Sequence, residues 1–122
     1  APEEPLYVAI NPALHSWTIE NLVKNAIDAM RGKGHLDLTI TTIGNKVKIT
    51  IADSGKGIPK NQFNKIFEPG FTTKKRGWGL GLSLTKRIVQ AYHKGRIKVA
   101  HSELGKGTAI QISYKMTEKN LD

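Results

Sequence analysis

The chain has no cysteine, which excludes a disulfide framework, a thiolate metal site and a cysteine nucleophile. Aromatic residues make up only 7% of it, and none is interleaved with basic residues in the way nucleic-acid modules require. It has no apolar run long enough to cross a bilayer, so no membrane segment is expected in this stretch. It begins at Ala1 rather than Met and carries no signal-peptide core; the expectation is an excised piece of a longer protein. Acids are few, ten against nineteen Lys and Arg. Even so, 39% of the 122 residues are apolar, enough for one soluble domain with a core of its own, spanning 1–122 with its ordered part at about 6–116.

The resulting charge of +9 is unevenly spread. Through Lys60 there are seven bases and six acids, and beyond it twelve bases and four acids. Between Lys65 and Lys98 nine basic residues face a single acid, Glu68. A solvated basic face, a nucleic-acid footprint and a phosphate site are the three readings.

Periodicity supplies the elements. Leu6 to Ile10 reads as a short strand. Asn11-Pro12 is a helix start, with apolar spacing to about Met30 and a stop at Arg31-Gly32. Leu36, Leu38 and Ile40, then Val47, Ile49 and Ile51, alternate as two strands about a Gly44-Asn45 turn. Pro59 to Ile66 is expected to form a short helix and Phe67 to Trp78 a loop, with Phe67 and Phe71 pinning the loop ends into the core. Leu80, Leu84, Ile88 and Tyr92 mark one face of a second helix closed by Gly95. Strands Arg96 to His101 and Thr108 to Tyr114 come next, joined through Gly105 and Gly107. Helices interspersed with hairpins predict a two-layer α+β sandwich, not a doubly wound parallel sheet.

Three segments carry chemistry. On the long helix, with Asn21 as origin and about 100° per residue, Asn25 falls near ~40° and Asp28 near ~−20°, opposite Ile19, Leu22, Val23, Ala26 and Met30. An Asn carbonyl is a hard neutral ligand suited to Mg²⁺ held mostly by phosphates. Asp53 ends a strand and is followed by Ser54-Gly55-Lys56-Gly57-Ile58. Its carboxylate can accept from the exocyclic amine of adenine, while the glycines let a flat ring approach the backbone. Guanine would set a carbonyl oxygen against that carboxylate. Gly77-Trp78-Gly79-Leu80-Gly81-Leu82 precedes a helix and stands beside Lys74, Lys75 and Arg76, a combination suited to phosphate.

The segments Asn21-Leu-Val-Lys-Asn-Ala-Ile-Asp-Ala29, Asp53 to Gly57, Phe67-Glu-Pro-Gly-Phe-Thr-Thr-Lys74, Gly77 to Leu82 and Gly105-Lys-Gly-Thr108 resemble, in order and spacing, the catalytic ATP-binding domain of sensor histidine kinases. The likeness covers roughly Leu6 to Met116. It implies the Bergerat-type fold of the GHKL superfamily, a mixed, mostly antiparallel sheet covered on one face by about three helices, with ATP held under a lid. It also implies Asn25 on Mg²⁺ and, with Lys74, in the catalytic role. Asp53 would read the adenine amine, and Gly55, Gly57 and Ile58 would shape its pocket. Asn21 and Asp28 would lie along the nucleotide, Lys74, Arg76, Gly77, Gly79, Leu80, Gly81 and Leu82 around the phosphates, and Thr108 on the purine side.

Gyrase, MutL and heat-shock-chaperone relatives place a Glu four residues before the metal-binding Asn. Here that position is Asn21, whose amide cannot take a proton from water, and Glu20 lies about 140° from Asn25. Transfer to a protein side chain is therefore expected, with a hydrolysing ATPase as the alternative and a basic nucleic-acid module behind it. The family's acceptor is a His followed by Glu or Asp on a dimerising hairpin. His15, His35, His93 and His101 are followed by Ser, Leu, Lys and Ser, so the acceptor should lie on a separate dimerisation domain of the same parent, with a response regulator downstream. The isolated domain is expected not to autophosphorylate, and its location to be cytoplasmic. His93 reads as a helix-dipole partner and the other three as surface or turn residues. Gly70 in place of an aromatic, Lys75-Arg76, Trp78 in place of a small residue, and Asp28 where many relatives carry Lys depart from the common pattern and suggest a short-lid branch.

Overall fold

A computed structural model of the chain describes Val8 and residues 11–31, 33–69 and 81–116. Helix α1 (Pro12–Ala29) begins as its sequence dictates. The Asn11 side chain accepts from the Leu14 N–H at 3.1 Å, and Pro12 occupies the first turn, where its missing N–H costs nothing. Strands β1 (Leu36–Ile43) and β2 (Lys46–Asp53) form the first hairpin, with Gly44 left-handed at φ 61°. Helix α2 (Gly81–Arg87) runs on into a π-helical turn, Ile88–Tyr92. Strands β3 (Arg96–Glu103) and β4 (Gly107–Lys115) close the fold as a second hairpin.

The four strands form one antiparallel sheet in the order β1-β2-β4-β3. The expected first strand falls mostly outside the described residues; Val8 bridges Met116 antiparallel. In register, Ile51 lies opposite Ile110, Ile49 opposite Ile112, and Ile112 opposite Ile97, so one sheet face is apolar. Leu22 and Ala26 of α1 and Val89 of the π turn pack on that face with Ile51, Ile112 and Tyr114. The result is the expected two-layer α+β sandwich. Edge strand β1 is poorly covered, which leaves Leu38 52% exposed despite its correct alternation.

Several local expectations differ from what forms. Pro59 to Ile66 is not one helix but two 3₁₀ turns, Lys60–Gln62 and Lys65–Phe67, with Phe67 buried as expected; Phe71 lies outside the described residues. The face of α2 marked by Leu84 and Tyr92 is not the buried one: they are 43% and 64% exposed. A four-residue spacing overshoots a full turn by about 40° per step on an α-helix, whereas in the π turn, bonded i to i+5, the same spacing falls short of one, so Leu84, Ile88 and Tyr92 do not share a face. Ile88, from the expected face, is buried, and Leu82, Thr85 and Val89 face inward with it. The left-handed residue ending this helix is Lys94, φ 54°, rather than Gly95, whose N–H reaches back to Val89 O at 2.7 Å.

His93 is not a dipole partner. A dipole partner must be a cation, but burial holds this imidazole below its ordinary pKa, and its Nε2 accepts from the Asn11 N–H at 3.0 Å. His15 is no simple surface residue either. Its ring stands edge-on to Tyr114, as does that of His93, each with centroids 5.8 Å apart. The side chains of His35 and His101 are exposed, as expected.

Candidate functional site

Strand register builds one end of the site. Asp53, last in β2, lies opposite Thr108 at the start of β4. Its Oδ1 accepts the Gly55 N–H at 2.8 Å, and the Thr108 N–H also donates to the carboxylate. Half-burial pushes the Asp53 carboxyl above its usual range, and these two N–H donors draw it part of the way back. A carboxylate has about four lone-pair positions. A half-buried one with two donors already placed can accept a further N–H.

The loop after Asp53 presses against its surroundings at distances that exclude side chains. A Cβ on Gly55 would stand 2.8 Å from the Ala29 carbonyl at the end of α1. Gly57, at φ 80°, passes so close to the Glu103 carbonyl that a Cβ there would overlap it. The Lys56 N–H bonds to Ala29 O at 3.2 Å and the Gly105 N–H to Lys56 O at 2.8 Å. The loop is thus clamped between the helix end and the β3–β4 turn, and the glycines keep its backbone bare.

Ser102, which sequence reasoning missed, ties this region together. Its Oγ accepts from the Ile58 N–H at 2.7 Å, donates to Gly107 O at 3.0 Å, and lies 2.8 Å from Thr108 Oγ1. With its one proton on Gly107, the Thr108 hydroxyl donates to Ser102, which leaves Thr108 Oγ1 as an acceptor. Nothing in a strand position marks such a hydroxyl before register puts it beside Thr108.

The α1 residues divide. Asn21 is half-buried, and its Nδ2 donates to Thr85 Oγ1 at 2.9 Å, while Thr85 donates to Gly81 O at 2.7 Å. Asn21 therefore anchors the start of α2, with Gly81 close against its amide. Asn25 is half-buried one turn on, and Asp28 is exposed. Leu82 packs against the core at the start of α2. Asp53, Gly55, Gly57, Ile58 and Thr108 thus come together around one end of the sheet, and Asn21 and Gly81 meet each other. Lys74, Arg76, Gly77, Gly79 and Leu80 lie outside the described residues.

Residues 14–118 match the family described as histidine kinase-, DNA gyrase B-, and HSP90-like ATPase. The chain is 46% identical over 105 residues to the sensor histidine kinase ZraS of Escherichia coli (strain K12), covering 86% of this chain and 22% of ZraS. It thus spans about a fifth of that curated relative's length. Among solved structures, the catalytic domain of histidine kinase ThkA superposes with a TM-score of 0.78 at 33% identity, covering 88% of this chain and 70% of that one. Full-length ShkA, solved in complex with AMPPNP, superposes with a TM-score of 0.76 at 28% identity, covering 85% and 22%. The chain belongs to the histidine kinase-, DNA gyrase B- and HSP90-like ATPase family, as the ATP-binding catalytic domain of a histidine kinase.

Proposed function

We propose that the chain binds Mg-ATP at the Asp53 end of the sheet and donates the γ-phosphoryl group to a histidine on a separate dimerisation domain of its parent sensor kinase, from which a response regulator takes it. The observation that carries this reading is the half-buried Asp53 carboxylate set beside a side-chain-free glycine loop. A purine amine is the donor such a site lacks, and the bare backbone accommodates a flat ring. ShkA, which shares the fold, was solved with an ATP analogue.

Among the described residues no cluster of three or more His, Asp or Glu could hold a metal by itself. Mg²⁺ suits such a setting, since it is commonly held by substrate phosphates with one or two protein oxygens, and Asn25 offers one. When bound, the ion would neutralise charge on the phosphate oxygens. Lys74 and the glycines from Gly77 to Gly81 are assigned to the phosphates by their sequence positions.

In the transfer, the bond from the γ-phosphorus to the β–γ bridging oxygen breaks and ADP leaves with the electron pair. The lone pair of a neutral imidazole nitrogen forms the new P–N bond. The attacking lone pair is free without deprotonation, so the attack draws on no base in this chain. The proton on the other ring nitrogen then leaves to solvent or to a base beside the acceptor. Water would have to lose its proton in order to attack. Asn21, in the position where a hydrolase would carry its Glu, is an amide already bonded to Thr85, which supports transfer over hydrolysis. Among the described residues no helix is long and apolar enough to cross a membrane, and we place the domain on the cytoplasmic side of its parent.

Calorimetric titration with a non-hydrolysable ATP analogue, with and without Mg²⁺, tests the binding step. The expected result is Mg-dependent affinity that drops at least tenfold in Asp53→Ala; equal affinity in that variant would refute the pocket. Adding a separate histidine-bearing hairpin should yield acid-labile phosphohistidine. Steady phosphate release from the domain alone, lost in Asn25→Ala, would favour hydrolysis instead.

A further inference from the structure

The sheet face turned away from the helices takes no part in the Asp53 site. Because Val47, Ile51, Ile112 and Tyr114 point to the helices, the residues alternating with them point outward. Strand register sorts these into rows. Thr41, Lys48, Ser113 and Arg96 align across all four strands, and Thr39, Thr50, Gln111 and Lys98 form the next row. Lys46 and Lys115 face each other in the row beyond. With about 4.8 Å between strands and about 6.7 Å between alternate residues, five cations share a patch of about 10 by 14 Å.

Among the described residues, none of the five forms an ion pair. By register this face carries two described acids, both beyond the cation rows: Asp37 lies opposite Ala52, and Glu103 lies opposite Gly107 and pairs with Lys106 at 3.3 Å. Like charges directly opposite, as at Lys46 and Lys115, weaken a sheet, so the fold tolerates this arrangement at a cost. At the rim, Lys94 joins Lys46, Arg96 and Lys115 around a groove of about 330 Å³, wide enough for an inserted carboxylate side chain.

We infer that this open face docks a carboxylate-rich surface of a protein partner. Charge complementarity selects an acidic partner. The described rows hold no Phe, Tyr or Trp on which bases could stack, and their one aromatic ring is the imidazole of His101, opposite Ala109 in the row of Asp37 and outside the cation rows. Ile43 is their one large apolar side chain, too little to enter a lipid layer. The groups between the cations are hydroxyls and amides, as in the Gln111 Nε2 to Thr50 Oγ1 bond of 3.2 Å, and such groups suit the polar rim of a protein interface.

The probe is a fluorescent peptide of alternating Glu and Thr, whose carboxylates in extended form repeat at about the same 6.7 Å, titrated against the whole 122-residue chain by anisotropy at low salt. Lys48→Glu with Arg96→Glu should weaken binding at least tenfold. Lys24→Glu with Lys65→Glu removes the same charge elsewhere and should change it less than twofold. Both variants should keep the parent's affinity for an ATP analogue. If the Glu pair impairs folding, Lys48→Gln with Arg96→Gln should still weaken the peptide several-fold. Equal losses in the two charge-matched variants, or no loss in the sheet variant, overturn the inference. So does tighter binding of a thymidine oligonucleotide or of phosphatidylserine vesicles than of the peptide at equal charge.

Discussion

Asn21 and Thr85 meet across the helix layer, the amide Nδ2 donating to the hydroxyl at 2.9 Å, and Thr85 passes its own proton to Gly81 O. Thr85 is fully buried, so this pair fixes where α2 begins relative to α1. Replacing Thr85 by Val removes the acceptor and strands a half-buried amide, which should cost about 1–3 kcal/mol. Chemical denaturation of Thr85→Val, Asn21→Ala and the double variant is the check. A coupling of about 0.5–1.5 kcal/mol is expected; strict additivity would mean the contact is energetically idle.

Gly57 and Gly105 have nearly the same backbone angle, φ 80° and 79°, in different surroundings. A Cβ at Gly105 would meet nothing within 4 Å, while one at Gly57 would overlap the Glu103 carbonyl. Gly105→Ala should therefore cost only the left-handed strain, about 1–2 kcal/mol. Gly57→Ala should cost clearly more and pull the loop from the β3–β4 turn. Thermal melts rank the two, and an equal loss would show that the loop yields freely.

Asp53 should trade stability for binding. Its pKa is raised on folding, so the group favours the folded state when protonated. That contribution is present below its unfolded value of 3.8 and is lost as pH rises through the folded value. Near neutral pH the unliganded domain therefore carries a buried charge at some cost. Asp53→Asn should melt no lower than the parent at about pH 7, with the difference closing as pH falls toward about 4. Its affinity for an ATP analogue should nevertheless fall at least tenfold, because an amide offers the purine amine a weaker acceptor. A lower melting temperature at neutral pH would contradict this.

Local features were legible in the sequence. The Asn11-Pro12 cap, the alternation of β2 and β4 and the Gly44 turn each depend on neighbours in the chain, and each formed where expected. The Asp53–Gly57 loop was legible for the same reason. Ser102 and Thr85 were not, since a hydroxyl in a strand or helix acquires its role only when register or packing brings a distant partner to it. The π turn escaped because one extra residue in a turn leaves the apolar pattern nearly intact while rotating Tyr92 outward. The reading of His93 took its place at a helix end as decisive, whereas burial against Tyr114 and the Asn11 N–H decided its charge.

The charge state of His93 has a measurable consequence. His15, His93 and Tyr114 form a cluster at the end of the sheet away from Asp53, with His15 Nδ1 3.4 Å from the Tyr114 hydroxyl. Burial lowers the pKa of both histidines below 6.5, His93 adding to the effect on His15, and pushes Tyr114 up to about 12. With Nε2 accepting from Asn11, neutral His93 carries its proton on Nδ1, which is buried without a partner. Protonating Nε2 would abolish the Asn11 bond and set a second charge near His15. Because the folded values are depressed, the unfolded chain takes protons first. Stability should thus be full above about pH 6.5 and decline as pH falls below it toward the folded values. The melting temperature should drop by about 2–8 °C between about pH 7.5 and about pH 5. His15→Gln with His93→Gln should flatten that dependence, because Gln retains an acceptor for Asn11 and does not titrate. A parent-like slope in the double variant would place the acid sensitivity elsewhere.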